Sequence, residues 1–192
     1  MGSSVALLPD LAEQVAFTLI GSMTNRWKHT TGVARRAAEL ARSLPVDDEV
    51  LVAAAWLHDI GYAQAARDTG FHPLDGARHL TRRQWPSSIA SLVAHHSGAR
   101  FVAAARGLAD ALAAYPDDGG LLADALTYAD QTVGPTGDRV TIEQRRTEML
   151  RRHGPQSWNA AVDSVRAPHL RAVADRVERH LTRGALLQAS SA

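Results

Sequence analysis

Apolar residues recur at helical spacing through most of the chain, and Pro and Gly interrupt them at short intervals. Leu11, Val15 and Leu19 predict a first helix that follows Pro9-Asp10 and ends at Ile20, with a turn over residues 21–26. Val33, Ala37, Leu40, Ala41 and Leu44 form one apolar stripe, which predicts a second helix over 28–44 stopped by Pro45. A third, over 47–58, takes Asp47 or Asp48 as its cap, turns Val50, Leu51, Ala54 and Leu57 inward, and gives way at Gly61. Residues 61–73 read as a connection with one helical turn at 63–67. Two short helices follow, over 74–83 and 86–97, the second with Pro86 at its first position. Gly98 separates them from a longer helix over 101–115. After the Pro116-Asp117-Asp118-Gly119-Gly120 turn come helices over 121–133, 141–153 and 158–183, the last bent near Pro168.

No repeat and no linker divides this pattern, so the expectation is an all-α, single-domain helical bundle over residues 1–184, with 185–192 as a flexible tail. Composition agrees with it. A chain of 192 residues suits one domain, and 45% hydrophobic with 21% charged residues excludes a disordered or fibrous chain. The 35 alanines and 5% aromatics favour helix over strand.

Charge and cysteine content narrow the chemistry. With 21 Lys+Arg against 20 Asp+Glu, the net charge of +1 does not suit general nucleic-acid binding. No apolar run approaches the roughly 20 residues of a membrane span, and the first residues lack a leader pattern, so no membrane association and a cytoplasmic location are expected. Nothing marks an interface between copies. The absence of cysteine removes disulfides, thiolate zinc sites and a cysteine nucleophile, so a metal must sit on His, Asp or Glu.

Six of the nine histidines fall between residues 29 and 96, and one adjoins an acid inside an apolar run, Ala55-Trp56-Leu57-His58-Asp59-Ile60-Gly61. A buried His beside a buried Asp is costly unless something neutralises both, and a divalent cation does so. His29 and Asp130 are the candidates to complete the set, although His29 taken alone reads rather as a partly exposed helix-start residue and Asp130 as readily as a helix-end charge or an ion-pair partner. Two imidazoles and two carboxylates suit Mn, Fe, Mg, Co, Ni or Zn. His79, His153, His169 and His180 lack an acidic neighbour in such a setting, and the Arg145-Arg146 and Arg151-Arg152 pairs, with Glu143 and Glu148 nearby, read as solvated helix faces or ion pairs.

The order His29, His58-Asp59, Asp130 resembles the HD superfamily of metal-dependent phosphohydrolases. Its specific parts are Arg26-Trp27-Lys28-His29-Thr30, Leu57-His58-Asp59-Ile60-Gly61 and Leu126-Thr127-Tyr128-Ala129-Asp130. The resemblance implies one or two divalent ions, with His29, His58, Asp59 and Asp130 as ligands and His58 and Asp59 central to catalysis by a metal-activated water. Phe71-His72-Pro73-Leu74-Asp75-Gly76-Ala77 and Ala94-His95-His96-Ser97-Gly98 are similar to the two-metal variant, implying a second ion near His72, His95 and His96. The other reading of His95-His96 is a helix-end pair, one ring packed and one solvated. Tyr62 stands where the cyclic dinucleotide phosphodiesterases of this superfamily carry Lys, and no Gly-Tyr-Pro occurs, which disfavours that substrate class. The pattern looks closer to small stand-alone hydrolases such as the symmetrical diadenosine tetraphosphate hydrolases. The implied partner is a small phosphorylated substrate, nucleotide or related ester or anhydride; Lys28, Arg78 and Arg100 beside the candidate ligands read as solvated surface charges or as its phosphate contacts. The reading from another class is a non-catalytic module that binds a metal or a nucleotide.

Overall fold

The computed structural model describes residues 7–189, and they fold into helices joined by short turns, with one isolated β-bridge between Val133 and Arg139. In chain order the helices are α1 (Leu8–Ile20), α2 (Thr24–Ala41), α3 (Asp48–Leu57), α4 (His72–Arg82), α5 (Ser87–His95), α6 (Ala99–Ala105), α7 (Ala109–Leu112), α8 (Gly120–Gln131), α9 (Ile142–His153), α10 (Trp158–Ala161) and α11 (Asp163–Ala189). Short 3₁₀ turns follow α3 and α5, over Ile60–Tyr62 and His96–Gly98.

The middle of the molecule is α3. Its buried residues Leu51, Ala53, Ala54, Ala55 and Leu57 lie all round the helix, because α1, α2, α5 and α8 pack against it from different sides. Asp47 caps it by accepting from the Val50 N–H at 3.0 Å. Val33, Leu40, Ile89 and Leu126 close the core around it. The helix therefore ends inside the protein, and His58 and Asp59 emerge from that buried end.

Several boundaries differ from the periodic pattern. The helix α2 begins at Thr24, four residues ahead of expectation, because Gly21-Ser22-Met23 suffices for the turn; Arg26 and His29 therefore share one helix. The long helix expected over 101–115 is two pieces, α6 and α7. Gly107 has φ +68°, and the Leu108 N–H donates to the Ala103 carbonyl at 2.8 Å, a left-handed C-terminal cap that ends α6. In the last segment the break falls at Val162 rather than Pro168, which α11 carries in its interior. That helix also runs on to Ala189, through part of the segment expected as a tail, while residues 1–6 and 190–192 lie outside the described residues. No helix among the described residues is long and apolar enough to cross a membrane.

Candidate metal centre

Five elements converge on one buried polar cluster. The helix α2 contributes Arg26 and His29, the end of α3 His58 and Asp59, the first residue of α4 His72, the turn after α5 His96 and Ser97, and α8 Asp130 and Gln131. Gly61 makes the approach of α4 possible: a Cβ there would stand 2.0 Å from the His72 carbonyl oxygen and 2.7 Å from the Gly76 nitrogen, both backbone atoms. Only glycine lets the start of α4 pass so close beneath Asp59.

Backbone carbonyls set the imidazoles. His29 Nδ1 lies 3.1 Å from the Gly134 carbonyl oxygen, His58 Nδ1 2.7 Å from that of Ala55, and His96 Nδ1 2.7 Å from that of Val93. A carbonyl oxygen only accepts, so each Nδ1 carries the proton, and in the neutral ring each Nε2 presents a lone pair. These lone pairs face further acceptors. His29 Nε2 is 2.9 Å from Asp130 Oδ1; His58 Nε2 is buried without a well-formed hydrogen bond, 3.3 Å from Asp59 Oδ2; His72 and His96 bring their Nε2 atoms within 3.3 Å of each other.

Among the described residues, potential ligand atoms gather in two groups: His29, His58 and Asp130, and Asp59, His72 and His96, each with its atoms within 4.8 Å of one another. Asp59 joins the groups. Its Oδ2 looks toward His58 and lies 3.8 Å from His29 Nε2, while its Oδ1 lies 3.4 Å from His72 Nε2. Nitrogen and oxygen acceptors turned inward upon one another are a donor set for a divalent cation. The residues present fit that group, and the orphaned Nε2 of His58 marks where a partner is missing.

Electrostatics point the same way. Burial holds the His29, His72 and His96 pKa values below the ordinary 6.5. At His58 burial opposes the charged form, but the Asp59 and Asp130 carboxylates outweigh it and raise the pKa. Burial likewise works to raise Asp59 and Asp130, yet both lie well below the carboxylate range, held there by the Arg26 guanidinium and His58 at Asp59 and by the His29 contact and the Arg145 guanidinium at Asp130. Both acids are ionised at neutral pH. Asp130 Oδ2 accepts from the Ser97 hydroxyl and from Gln131 Nε2 at 2.9 Å, which leaves Oδ1 for the interior.

A cavity of about 280 Å³ opens over the cluster. Asp59, His72, His96 and Asp130 lie at its base, and Phe71, Val102 and Met149 add apolar wall. Arg26 pairs with Asp59 and lays its guanidinium 3.9 Å over the Tyr62 ring, which in turn stacks on His72 at 4.2 Å. Trp158, 54% exposed, stands among the lining residues, whereas Trp56 stacks on Trp27 elsewhere.

Some expected site residues lie apart. His95 turns away, because successive residues at a helix end project about 100° apart; its Nε2 donates to the Tyr115 carbonyl at 2.7 Å in a separate hollow of about 720 Å³. Of the adjacent pair, His96 alone reaches the cluster. The three cations expected to bind phosphate are also elsewhere: Lys28 is exposed on α2, Arg78 pairs with Asp68, and Arg100 engages Asp117 and His169. Sequence adjacency to a ligand sent each to another face.

In their place the cavity wall carries Arg26, Arg106, Arg145, Arg152 and Arg166, together with His153. Arg145 is 6% exposed and Arg166 9%; of the two readings of Arg145 the ion pair holds, to Glu148 at 2.8 Å, and the solvated face does not. Two signals pointed to them. Arg145 is the buried residue of an otherwise strongly polar helix, and Arg166 falls on the same stripe as Val162, Leu170, Val173 and Val177.

No curated protein and no solved structure matches this chain. The match that does exist covers the segment carrying His29, His58, Asp59, His72, His96 and Asp130: residues 26–133, more than half of the chain, fit the family model of the HD domain. The chain belongs to the HD domain family, a superfamily of metal-dependent phosphohydrolases.

Proposed function

We propose that this protein hydrolyses a small phosphorylated compound, a nucleotide or a related ester or anhydride, by attack of water on phosphorus. One observation supports the reading above others: the Nε2 atoms of His29 and His58, turned inward by the carbonyls that hold each Nδ1, face the ionised Asp130 and Asp59 at the base of a cavity of about 280 Å³. His29, His58, Asp59 and Asp130 would hold one divalent cation, and His72 and His96 with Asp59 a second. When bound there, such a cation supplies Lewis acidity, lowers the pKa of water and stabilises charge on phosphoryl oxygens.

The chain's own residues position the reaction. The carbonyls of Gly134, Ala55 and Val93 hold the imidazole tautomers, and Ser97 and Gln131 fix the rotation of Asp130. Asp59 stays ionised beside Arg26, so it can accept a hydrogen bond from the attacking water and orient it, but cannot act as an acid. Arg26 is one bond from releasing its guanidinium toward a phosphoryl oxygen. No side-chain nucleophile is needed; the Ser97 hydroxyl is buried and engaged with Asp130.

The test is hydrolysis of monoesters, diesters and nucleotide anhydrides, followed by chromatographic identification of the products, by wild type and Asp59→Asn, with Mn, Mg, Co, Ni, Fe or Zn added. Turnover that Asp59→Asn abolishes while the fold persists supports the reading. A protein that binds metal, hydrolyses none of these classes and loses thermal stability with its metal is the non-catalytic module instead.

A further inference from the structure

Residues 26–133 define the family match, yet part of the cavity wall comes from beyond it. Arg145 on α9 and Arg166 on α11 are both buried there; Arg166 has no carboxylate partner among the described residues, and Arg145 keeps a buried Nε unbonded although its Nη atoms have carboxylates nearby. Arg166 donates from Nε to the Ser97 carbonyl at 2.8 Å and from Nη1 to the Asn159 side-chain oxygen at 3.1 Å. Both acceptors are neutral, and Arg166 makes no ion pair among the described residues. Arg145 gives Nη1 to Glu148 at 2.8 Å and stands 3.6 Å from Asp130 Oδ1, while its Nε is buried without a hydrogen-bond partner. Arg106, at the end of α6, donates to the carbonyls of Gly70 and Thr69 and also has no ion-pair partner among the described residues.

A buried guanidinium without a full counter-charge is costly unless a ligand supplies it. Here three guanidinium groups from three elements face one cavity whose lining carboxylates, Asp59 and Asp130, belong to the metal-ligating groups. Burial already depresses the Arg166 pKa, a sign that its positive charge is poorly compensated. Guanidinium forks match phosphate and carboxylate oxygens in geometry as well as charge.

We infer that Arg145, Arg166 and Arg106 form a subsite for a second anionic group, so that the substrate is a phosphorylated compound bearing a further phosphate or carboxylate. The assignment of the first group as the one cleaved rests on the proposed hydrolase activity; the subsite itself rests on the arginines. The C-terminal helices thus complete the cavity and select the ligand, while the matched segment supplies the metal-ligating groups.

The test is calorimetric binding of methylphosphonate, phosphonoacetate and methylenediphosphonate to the full chain as purified, repeated after chelation. The two doubly functionalised probes should bind at least about tenfold more tightly than methylphosphonate, the scale of one charge-assisted hydrogen bond. Comparison of phosphonoacetate with methylenediphosphonate tells a carboxylate from a phosphate as the second group. Arg166→Gln and Arg145→Gln should each remove most of that preference, weakening the two doubly functionalised probes far more than methylphosphonate, and the exposed Arg151→Gln should keep it. If Arg166→Gln fails to fold, because its Nε anchors Ser97, Arg145→Gln and Arg106→Gln decide the matter alongside the wild-type comparison. Equal affinity for all three probes, or a preference that survives these substitutions, overturns the subsite. A preference that is present in a protein with no hydrolytic activity would retain the subsite and reject the hydrolase reading, so the two fail separately.

Discussion

His29 Nε2 stands 2.9 Å from Asp130 Oδ1 while the Nδ1 of the same ring faces the Gly134 carbonyl oxygen at 3.1 Å. A neutral imidazole has one proton and so satisfies one of these two acceptors. Burial keeps His29 on the neutral side, which leaves a lone pair against an ionised carboxylate. A cation held between them resolves the conflict.

Replacing Asp130 by Asn should weaken both binding and folding. Metal affinity should fall by more than about two orders of magnitude, the upper end of what residues that only support a ligand contribute. The chelated protein should also melt below wild type, since the ionised carboxylate that Ser97, Gln131 and Arg145 hold in the folded chain is gone. Metal titration followed by thermal unfolding with chelator checks both halves; unchanged affinity would contradict the assignment of Asp130.

The adjacent histidines make a sharper pair. His96→Ala should lower metal content and activity, because His96 Nε2 faces His72 across 3.3 Å. His95→Ala should leave both intact and cost about 1 kcal/mol of stability through its lost bond to Tyr115. Metal loss on His95→Ala alone would reverse the placement of these rings.

Gly61→Ala tests how α4 is docked. The added Cβ meets backbone at 2.0 Å and 2.7 Å, where no side chain can swing aside. Stability should fall by about 2–3 kcal/mol, and the His72 ring should move off Asp59. A variant of wild-type stability measured by urea unfolding would show that the turn yields more easily.

Acid should destabilise the metal-free protein before its carboxylates titrate. The folded pKa values of His29, His72 and His96 lie below the unfolded 6.5, so the unfolded chain binds more protons as pH falls through 6.5. Their contribution is present above that value and is lost below it. His58, raised instead, contributes in the opposite sense, fully below 6.5 and less as pH rises. Three groups against one predict that the chelated protein's melting temperature drops between pH 7 and pH 5. The Asp59 and Asp130 contributions, from depressed values, follow only below about pH 4. A melting temperature that is flat or rising over that range would contradict the assigned protonation states.

The helical fold and the doublet at its centre were legible because both are local. The apolar run around His58-Asp59 carries its own statement that two polar groups end a buried helix. The break between α6 and α7 was hidden by alanines on both sides of Gly107, whose helical propensity outvoted one glycine. The arginine wall was illegible for another reason: Arg145 and Arg166 look like ordinary surface cations until α8, α9 and α11 pack around the same cavity. Lys28, Arg78 and Arg100 show the converse, since neighbours along a helix point to different faces.

The most direct measurement is metal content per chain by plasma mass spectrometry, on protein purified without chelator or affinity metal, with His58→Ala, His96→Ala and His95→Ala beside wild type. Wild type should carry divalent metal that His58→Ala loses. A second equivalent, if present, should fall on His96→Ala and stay on His95→Ala. A wild-type protein that takes up no metal, even after incubation with Mn, Fe, Co, Ni and Zn, would contradict a metal centre at His29, His58, Asp59 and Asp130.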